Sequence, residues 1–293
     1  MRRRVAKTSA VTITSPTFVD TDGESPADCT SLPTCAVARE DGTSLTAAVV
    51  TNQSDPGVYT AAITTTHTSQ LDRLTITWTG TVSGQQQVYT DEVEVVGGQL
   101  VAIPEIRAEP NLSDATKYPT ALLLAVRDEF AELAETYCGI GFVRRYQRDR
   151  LDGDGTTKLI LSRLYPRSLI SVTVNGTSET TTEFDLHDRG SITWRNDSFP
   201  RPDNTNGARN CAIAYEHAYT DTPPPDLRRE ALRWIRRELL LRTAETPNDR
   251  LSETFDGLTV RYSTADFGAG RPTGMVSVDA VLNRYRHTGY GFA

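Results

Sequence analysis

Asp152-Gly-Asp-Gly-Thr-Thr157 is the stretch whose residue types come nearest to a metal-binding pattern. An EF-hand calcium loop places oxygen ligands at positions 1, 3 and 5, glycine at position 6 and a bidentate glutamate at position 12. Counted from Asp152, positions 3 and 5 are Asp154 and Thr156, but position 6 is Thr157 and position 12 is Arg163, whose guanidinium repels the ion. The competing expectation is a turn, because glycine supplies positive φ and aspartate bonds its own backbone. The same turn chemistry returns at Asn175-Gly176, a type I′ pair that follows Leu169-Ile-Ser-Val-Thr-Val174.

Other reactive constellations are incomplete. The chain has no Gly-x-Ser-x-Gly elbow, no His-Glu-x-x-His, no Cys-x-x-Cys and no dinucleotide fingerprint. Gly268, Gly270 and Gly274 in "FGAGRPTGM" lack the Gly-Lys-Ser/Thr ending of a P-loop, and the piece reads as an exposed, mobile loop. His67, His187, His217 and His287 are isolated, so no zinc site is completed. Cys29 and Cys35 in "CTSLPTC" are close enough to bridge a surface loop, against which stands the reduced state of cytosolic thiols; Cys138 and Cys211 read as buried small hydrophobes. Carboxylates are abundant, but nothing singles out a glycosidase pair. The expectation is no catalytic residue, no cofactor and no metal.

Composition narrows the class. A chain of 293 residues suits roughly two domains, and a hydrophobic content of 38% is low for one compact enzyme. The net charge of −7 argues against a protein whose main task is gripping nucleic acid, though not against one that DNA slides past. Of the 31 basic residues only Lys7, Lys117 and Lys158 are lysines, a bias that reflects a GC-rich genome. The longest plain apolar run, Ala121 to Val126, falls far short of the ~20 residues that span a bilayer. Arg2-Arg3-Arg4 is not followed by an apolar h-region, so a cytosolic origin is expected.

Residues 1 to 98 carry 20 threonines and alternating runs at 11–14, 44–50, 57–63, 74–78 and 88–96, separated by Gly, Pro, Asn and Asp. This predicts an all-β sandwich of immunoglobulin-like type, with Tyr59 and Trp78 in its core. Gly97-Gly98 breaks the pattern, and 99–118 reads as linker and helix entry. Thr120 to Cys138 has apolar residues at 122, 123, 126, 130, 133, 134 and 137, with Pro119 at the start and Gly139 as a stop, so a helix is predicted; the Ser113-Asp114 cap offers an earlier start with a kink near Pro119. Strands are predicted at 158–162, 169–174, 182–186, 191–194 and 211–219, the turns at Asn175-Gly176 and 188–190 making antiparallel neighbours of the middle three. Pro223-Pro-Pro225 launches an amphipathic helix on which Arg229, Arg233, Arg236 and Arg237 form a cationic arc. That arc is either a solvated face relieved by Glu230 and Glu238 or a surface for an acidic partner or neighbouring subunit. A strand at 258–262 and a short last helix, with Val278, Val281, Leu282 and Tyr285 on one face, complete the chain. The fold class is therefore α+β in two domains: the sandwich at 1–98, and a helical domain at 119–293 interrupted by a β insertion at about 142–220.

In their order, "YPTALLLAVRDEFAELAETYCG", "LILSRLYPRSLISVTVNG", "PPPDLRREALRWIRRELLL" and "SVDAVLNRYR" make residues from about 101 to 293 resemble the head-to-tail adaptor (connector) proteins of long-tailed bacteriophages, particularly those of actinobacterial hosts. The N-terminal sandwich lies outside the resemblance, as an added decoration domain. The resemblance implies a ring of copies, twelve by family analogy, seated under the portal protein in the virion neck and assembled in the host bacterial cytoplasm. Such a ring extends the DNA channel, passes genomic DNA without sequence-specific binding and docks the stopper or tail-terminator proteins; no membrane is involved. Arg229, Arg233, Arg236, Arg237, Val281, Leu282, Tyr285 and Arg286 are the candidate subunit or partner interface. The alternatives are a stopper or tail-terminator protein, a virion adhesin whose β domain binds host-surface glycans, and a hydrolase whose site the motifs do not reveal.

Overall fold

A computed structural model describes residues 3–52, 55–202, 207–243, 252–255, 258–261 and 271–287. It is a mixed α+β structure richer in strand than in helix. Contacts divide it into two compact units, Met1–Gly98 with Arg144–Ala218, and Gln99–Val143 with Tyr219–Ala293. The insertion thus clusters with the N-terminal sandwich, whereas the sequence assigned it to the helices.

The sandwich has seven strands: β1 (Arg3–Ala6), β2 (Val11–Thr14), β3 (Thr34–Ala38), β4 (Val49–Asn52), β5 (Tyr59–Ile63), β6 (Asp72–Val82) and β7 (Gln85–Val96). One sheet runs β1-β7-β6-β3 and the other β2-β5-β4. Alternation along β6 sends Leu74, Ile76 and Trp78 inward, where all three are fully buried, and leaves Thr75, Thr77 and Thr79 on the outer side. Burying a Leu or Ile side chain in this way contributes roughly 1.5–3 kcal/mol. Tyr59 and Phe18 meet edge to face at 5.6 Å in the same core, and the Tyr59 hydroxyl accepts a hydrogen bond from the Cys29 N–H at 2.7 Å. Gly57, at φ 72°, lets the chain pass against the Phe18 carbonyl, where a Cβ would collide. All four cysteines are free thiols, so Cys29 and Cys35 are not bridged.

The insertion supplies β8 (Arg145–Leu151), β9 (Lys158–Ile160), β10 (Pro166–Val174), β11 (Thr177–Glu179), β12 (Phe184–His187), β13 (Ser191–Trp194) and β14 (Cys211–His217). Its sheets, β11-β10-β14-β8 and β12-β13-β9, enclose a core that includes Val172, Ile192, Phe199, Ile213 and Tyr215. Asn175 and Gly176, at φ 51° and 80°, form the expected tight turn, but it leads into the short β11 and not to the strand at 184–187. Of the three strands expected as neighbours, β12 and β13 pair; β10 belongs to the other sheet, between β11 and β14. The Asp152-Gly-Asp-Gly stretch is a turn. Asp154 accepts hydrogen bonds from the N–H and hydroxyl of Thr156 at 2.9 and 2.6 Å, and those bonds hold its carboxyl below the usual range.

Sandwich and insertion meet through a small apolar contact, Leu71, Tyr146 and Ala214, set among charges. Glu94 of β7 is 2% exposed and receives Arg145 of β8 through two hydrogen bonds, at 2.6 and 2.9 Å, with Arg4 of β1 at 3.4 Å. Burial alone would push the Glu94 carboxyl up, but Arg145, then Arg4 and Arg73, hold it below its ordinary value. Arg39 bonds Asp72 at 2.7 Å and Arg73 bonds Glu40 at 3.2 Å nearby.

The second unit is built on α1 (Ile103–Ala108), α2 (Thr120–Cys138), α3 (Pro225–Arg242) and α4 (Val276–Tyr285), with a hairpin of β15 (Ser252–Phe255) and β16 (Leu258–Arg261). The stretch read as linker therefore contains a helix. Its Pro104 stands in the first turn, where the missing N–H costs nothing, and Glu105 reaches back to the Ala102 N–H at 2.8 Å. Helix α2 starts at Thr120, because Asp114 closes a separate turn on the N–H groups of Thr116 and Lys117. Gly139, at φ 72°, ends it as the sequence predicts. Phe130 of α2 meets Trp234 of α3 at 5.3 Å in the helical core. The glycine-rich piece expected as a mobile loop lies outside the described residues up to position 270.

Removing Glu94 takes the shared carboxylate from Arg4 and Arg145, whose side chains are only 5% and 16% exposed. Glu94→Ala is expected to cost about 3–5 kcal/mol in urea unfolding, and limited proteolysis of the folded protein should then cut near Gly97-Gly98. An unchanged unfolding midpoint would show that the ion cluster does not hold the sandwich on the insertion.

Candidate interaction surfaces

The arginine arc of α3 is organised by one acid. Glu230 is 2% exposed, and its Oε1 accepts Arg229 at 3.3 Å and Arg233 at 2.9 Å, while those guanidinium side chains are 65% and 55% exposed. Its Oε2 has no hydrogen-bond partner among the described residues. A buried carboxylate thus fixes two cations at the surface. Arg236 donates to the Pro110 carbonyl at 3.1 Å, and Arg237 is half-buried with its Nη1 shut away from solvent. Arg228 and Arg242, outside the predicted set, bond Glu105 and Glu129 at 2.5 Å each.

The last helix corrects the expectation. Val281 is 5% and Leu282 0% exposed, so both are core residues of the helical unit and offer no surface to a partner. The physical reason is the face they share with Val278, which the unit itself consumes. Tyr285 donates to Asp226 at 2.8 Å and packs edge to face on Phe142 and Tyr219 at 5.6 and 5.7 Å. Arg286 is exposed, with its guanidinium 5.0 Å from the Tyr137 ring centre. Arg229 and Arg233 are therefore brought together, whereas Arg286 is held by a different partner.

A polar centre that the sequence did not suggest lies in the insertion. Asp149 is 5% exposed and accepts hydrogen bonds from Ser162 N at 2.7 Å, Ser162 Oγ at 2.6 Å, Tyr215 at 2.9 Å and Gln147 at 2.9 Å. The group ties β8 to β14 and to the chain after β9. His217, at the end of β14, is 3% exposed with Nδ1 unpartnered. Burial, then the charges of Arg145 and Arg163, push its imidazole down to about 3 against the pull of Glu94 and Asp149. The buried Cys35 and Cys211 thiols are pushed up to about 11, and Cys138 to about 12, by burial, which keeps them protonated. Among the described residues no group of three or more His, Cys, Asp or Glu is placed to hold a metal ion, and no helix is long and apolar enough to cross a membrane.

A cleft of ≈520 Å³ lies in the first unit along β8, lined by residues 147–151 with Glu40, Ser162 and Arg209. Comparison with known proteins finds no family model and no curated protein that matches the chain.

Two signals for these groups were present in the sequence. Glu230 stands at i and i+3 with Arg233, and Asp149 is the one acid in "RYQRDRL", but their burial depends on what packs over them. His217 has a pH signature. Its unfolded state takes up a proton below about 6.5 that the folded state refuses until about 3, so stability falls as pH drops through that window. The slope contributed is up to ~1.4 kcal/mol per pH unit. Because Glu94 loses its ion pair only at lower pH, His217→Gln should flatten urea-measured stability between pH 6.5 and 5. An identical slope in wild type and variant would remove His217 as its source.

Proposed function

We propose that this chain is a structural virion protein of a bacteriophage neck: a non-catalytic head-to-tail adaptor whose copies form a ring under the portal. In this reading the ring extends the DNA channel and docks the stopper or tail-terminator proteins. The observation that carries it is the exposed Arg229 and Arg233 pair seated on buried Glu230. Side chains whose rotamers are already fixed lose less entropy on binding, so such a pair is prepared for an acidic partner surface. The helical order that carries the resemblance supports the same reading, since Pro119, Gly139 and the proline run before α3 bound helices that pack on one another.

The N-terminal module fits an immunoglobulin-like sandwich. Sheets β2-β5-β4 and β3-β6-β7 correspond to that arrangement, with β1 beside the last strand in parallel. The chain's net charge of −7 suits a lumen past which DNA slides, because phosphate binding needs clustered cations. Assembly would occur in the host cytoplasm and the product would reside in the virion neck.

Co-sedimentation with purified portal tests this reading. Wild-type protein should be monomeric or weakly associated alone and should form a complex when portal is supplied. Replacing Arg229, Arg233 and Glu230 by glutamine together removes the charge cluster without stranding a buried ion. The variant should remain folded and lose portal affinity by about tenfold or more, along with its salt sensitivity. Failure of wild-type protein to bind portal, or its absence from images of the particle's neck, would overturn the proposal.

A further inference from the structure

Two sheet edges of the first unit are left open in a way the others are not. Along β7, β1 pairs from Val93 to Val96, and residues 85–91 are bonded to β6 on one side and paired with no strand on the other among the described residues, while the Gln87 amide bonds the Val19 backbone. The turn at Ser83-Gly84, with φ 48° and 80°, closes on the pair Val82 and Gln85. The pair closing a two-residue turn exchanges both hydrogen bonds, and the exchange then alternates. The N–H groups of Gln86, Val88, Thr90 and Glu92 consequently point outward. The Glu92 N–H agrees, since it donates to the Asp91 carboxylate at 2.8 Å and not to β6. Val88 is 57% exposed on this stretch.

The second open edge is β8, which pairs with β14 alone. Its ≈520 Å³ cleft touches five consecutive residues, 147–151. Successive strand residues point to opposite faces, so a void that reaches all of them runs along the strand's edge. Asp149 is occupied by Ser162, Tyr215 and Gln147, and Glu40 is bonded to Arg73. The exposed Arg150 and Arg209 and the half-buried Arg148 outnumber the two acids of the lining, so the groove is cationic on balance.

Other edges are blunted. The stretch of β10 without a neighbour on its β11 side begins with Pro166 and carries two register shifts, β3 is bridged on its outer side at Cys35 and Ala38, and β1, β2, β4, β9, β11 and β12 are short. β7 and β8 keep unbroken register and contain no proline. Their charges are opposite: 85–91 has one carboxylate, Asp91, and no cation, within a module carrying 6 basic against 11 acidic side chains over residues 1–98.

We propose that the β7 edge at residues 85–91 of one copy adds as a strand to the β8 edge at residues 147–151 of a second copy, with Asp91 facing the arginines of the groove. Like edges repel or lack charge partners, so the pairing is between different surfaces. Such a heterologous contact propagates head to tail and closes if its rotation allows. Closure into a ring rests on the neck reading above; the contact itself does not.

Portal-driven assembly, followed by sedimentation and electron microscopy, tests the contact. Thr90→Pro removes one outward N–H without touching a bond to β6, which edge strands tolerate; it should leave the circular dichroism spectrum intact and cut assembly by about tenfold or more. Asp91→Arg and Arg150→Glu should each do the same, and the two combined should restore assembly. Rings formed normally by all three single variants would overturn the strand contact while leaving the adaptor reading standing. If wild type does not bind portal, the adaptor reading falls, and the contact is judged by oxidative cross-linking of Val88→Cys with Arg150→Cys in concentrated protein. A mixed dimer absent from either variant alone supports the contact, and no mixed dimer overturns it.

Discussion

A carboxylate at 2% exposure needs cations or hydrogen-bond donors to replace the water it loses, and the first unit meets that demand for Glu94 with arginines. The acid comes from β7, Arg4 from the chain's first strand and Arg145 from the first strand after the helical excursion. Three distant stretches are thereby held to one geometry. The apolar contact beside them is small, so hydrophobic area alone would leave the two β modules free to slide, whereas directional ion pairs specify one arrangement. The same surroundings bear on His217, which is kept neutral first by burial and then by the charges of Arg145 and Arg163.

Glu230 repeats the device in the helical unit with the opposite purpose. There the buried partner is the acid and the exposed partners are the arginines, so the energy of one buried charge is used to fix two surface cations. Open strand edges present backbone groups in the same prepared state. Surface geometry set in advance, with no reactive constellation among the buried groups described above, is the common thread of the adaptor reading.

Much of the architecture was legible in residue order. Alternation predicted the buried Leu74, Ile76 and Trp78, and the 3.6-residue period with Gly139 predicted α2 to its last turn. What escaped was mostly charged or proline-bearing. β8, "RYQRDRL", has no apolar alternation because its side chains bond polar groups, Arg145 the Glu94 carboxylate, Arg148 the Glu40 carbonyl and Asp149 the Ser162 and Tyr215 hydroxyls, so the pattern that marks a strand is written in ion pairs and hydrogen bonds. α1 hid behind Pro104, a residue that breaks a helix interior yet suits a first turn. Among the interface candidates, helical spacing grouped Val281, Leu282 and Tyr285 correctly, but a shared apolar face is equally the mark of a core, and the core took it.

The sequence by itself determined the segment boundaries near residue 98, the strand and helix character of the long periodic runs, and the clustering of arginine on α3. Those are local matters of side-chain period, turn chemistry and proline geometry. Only the tertiary structure decided that the insertion belongs with the sandwich, which arginines remain at the surface and which strand edges stay open. Each of these depends on whether a residue distant in the chain arrives to exclude water or complete a hydrogen bond, and no periodicity records that arrival.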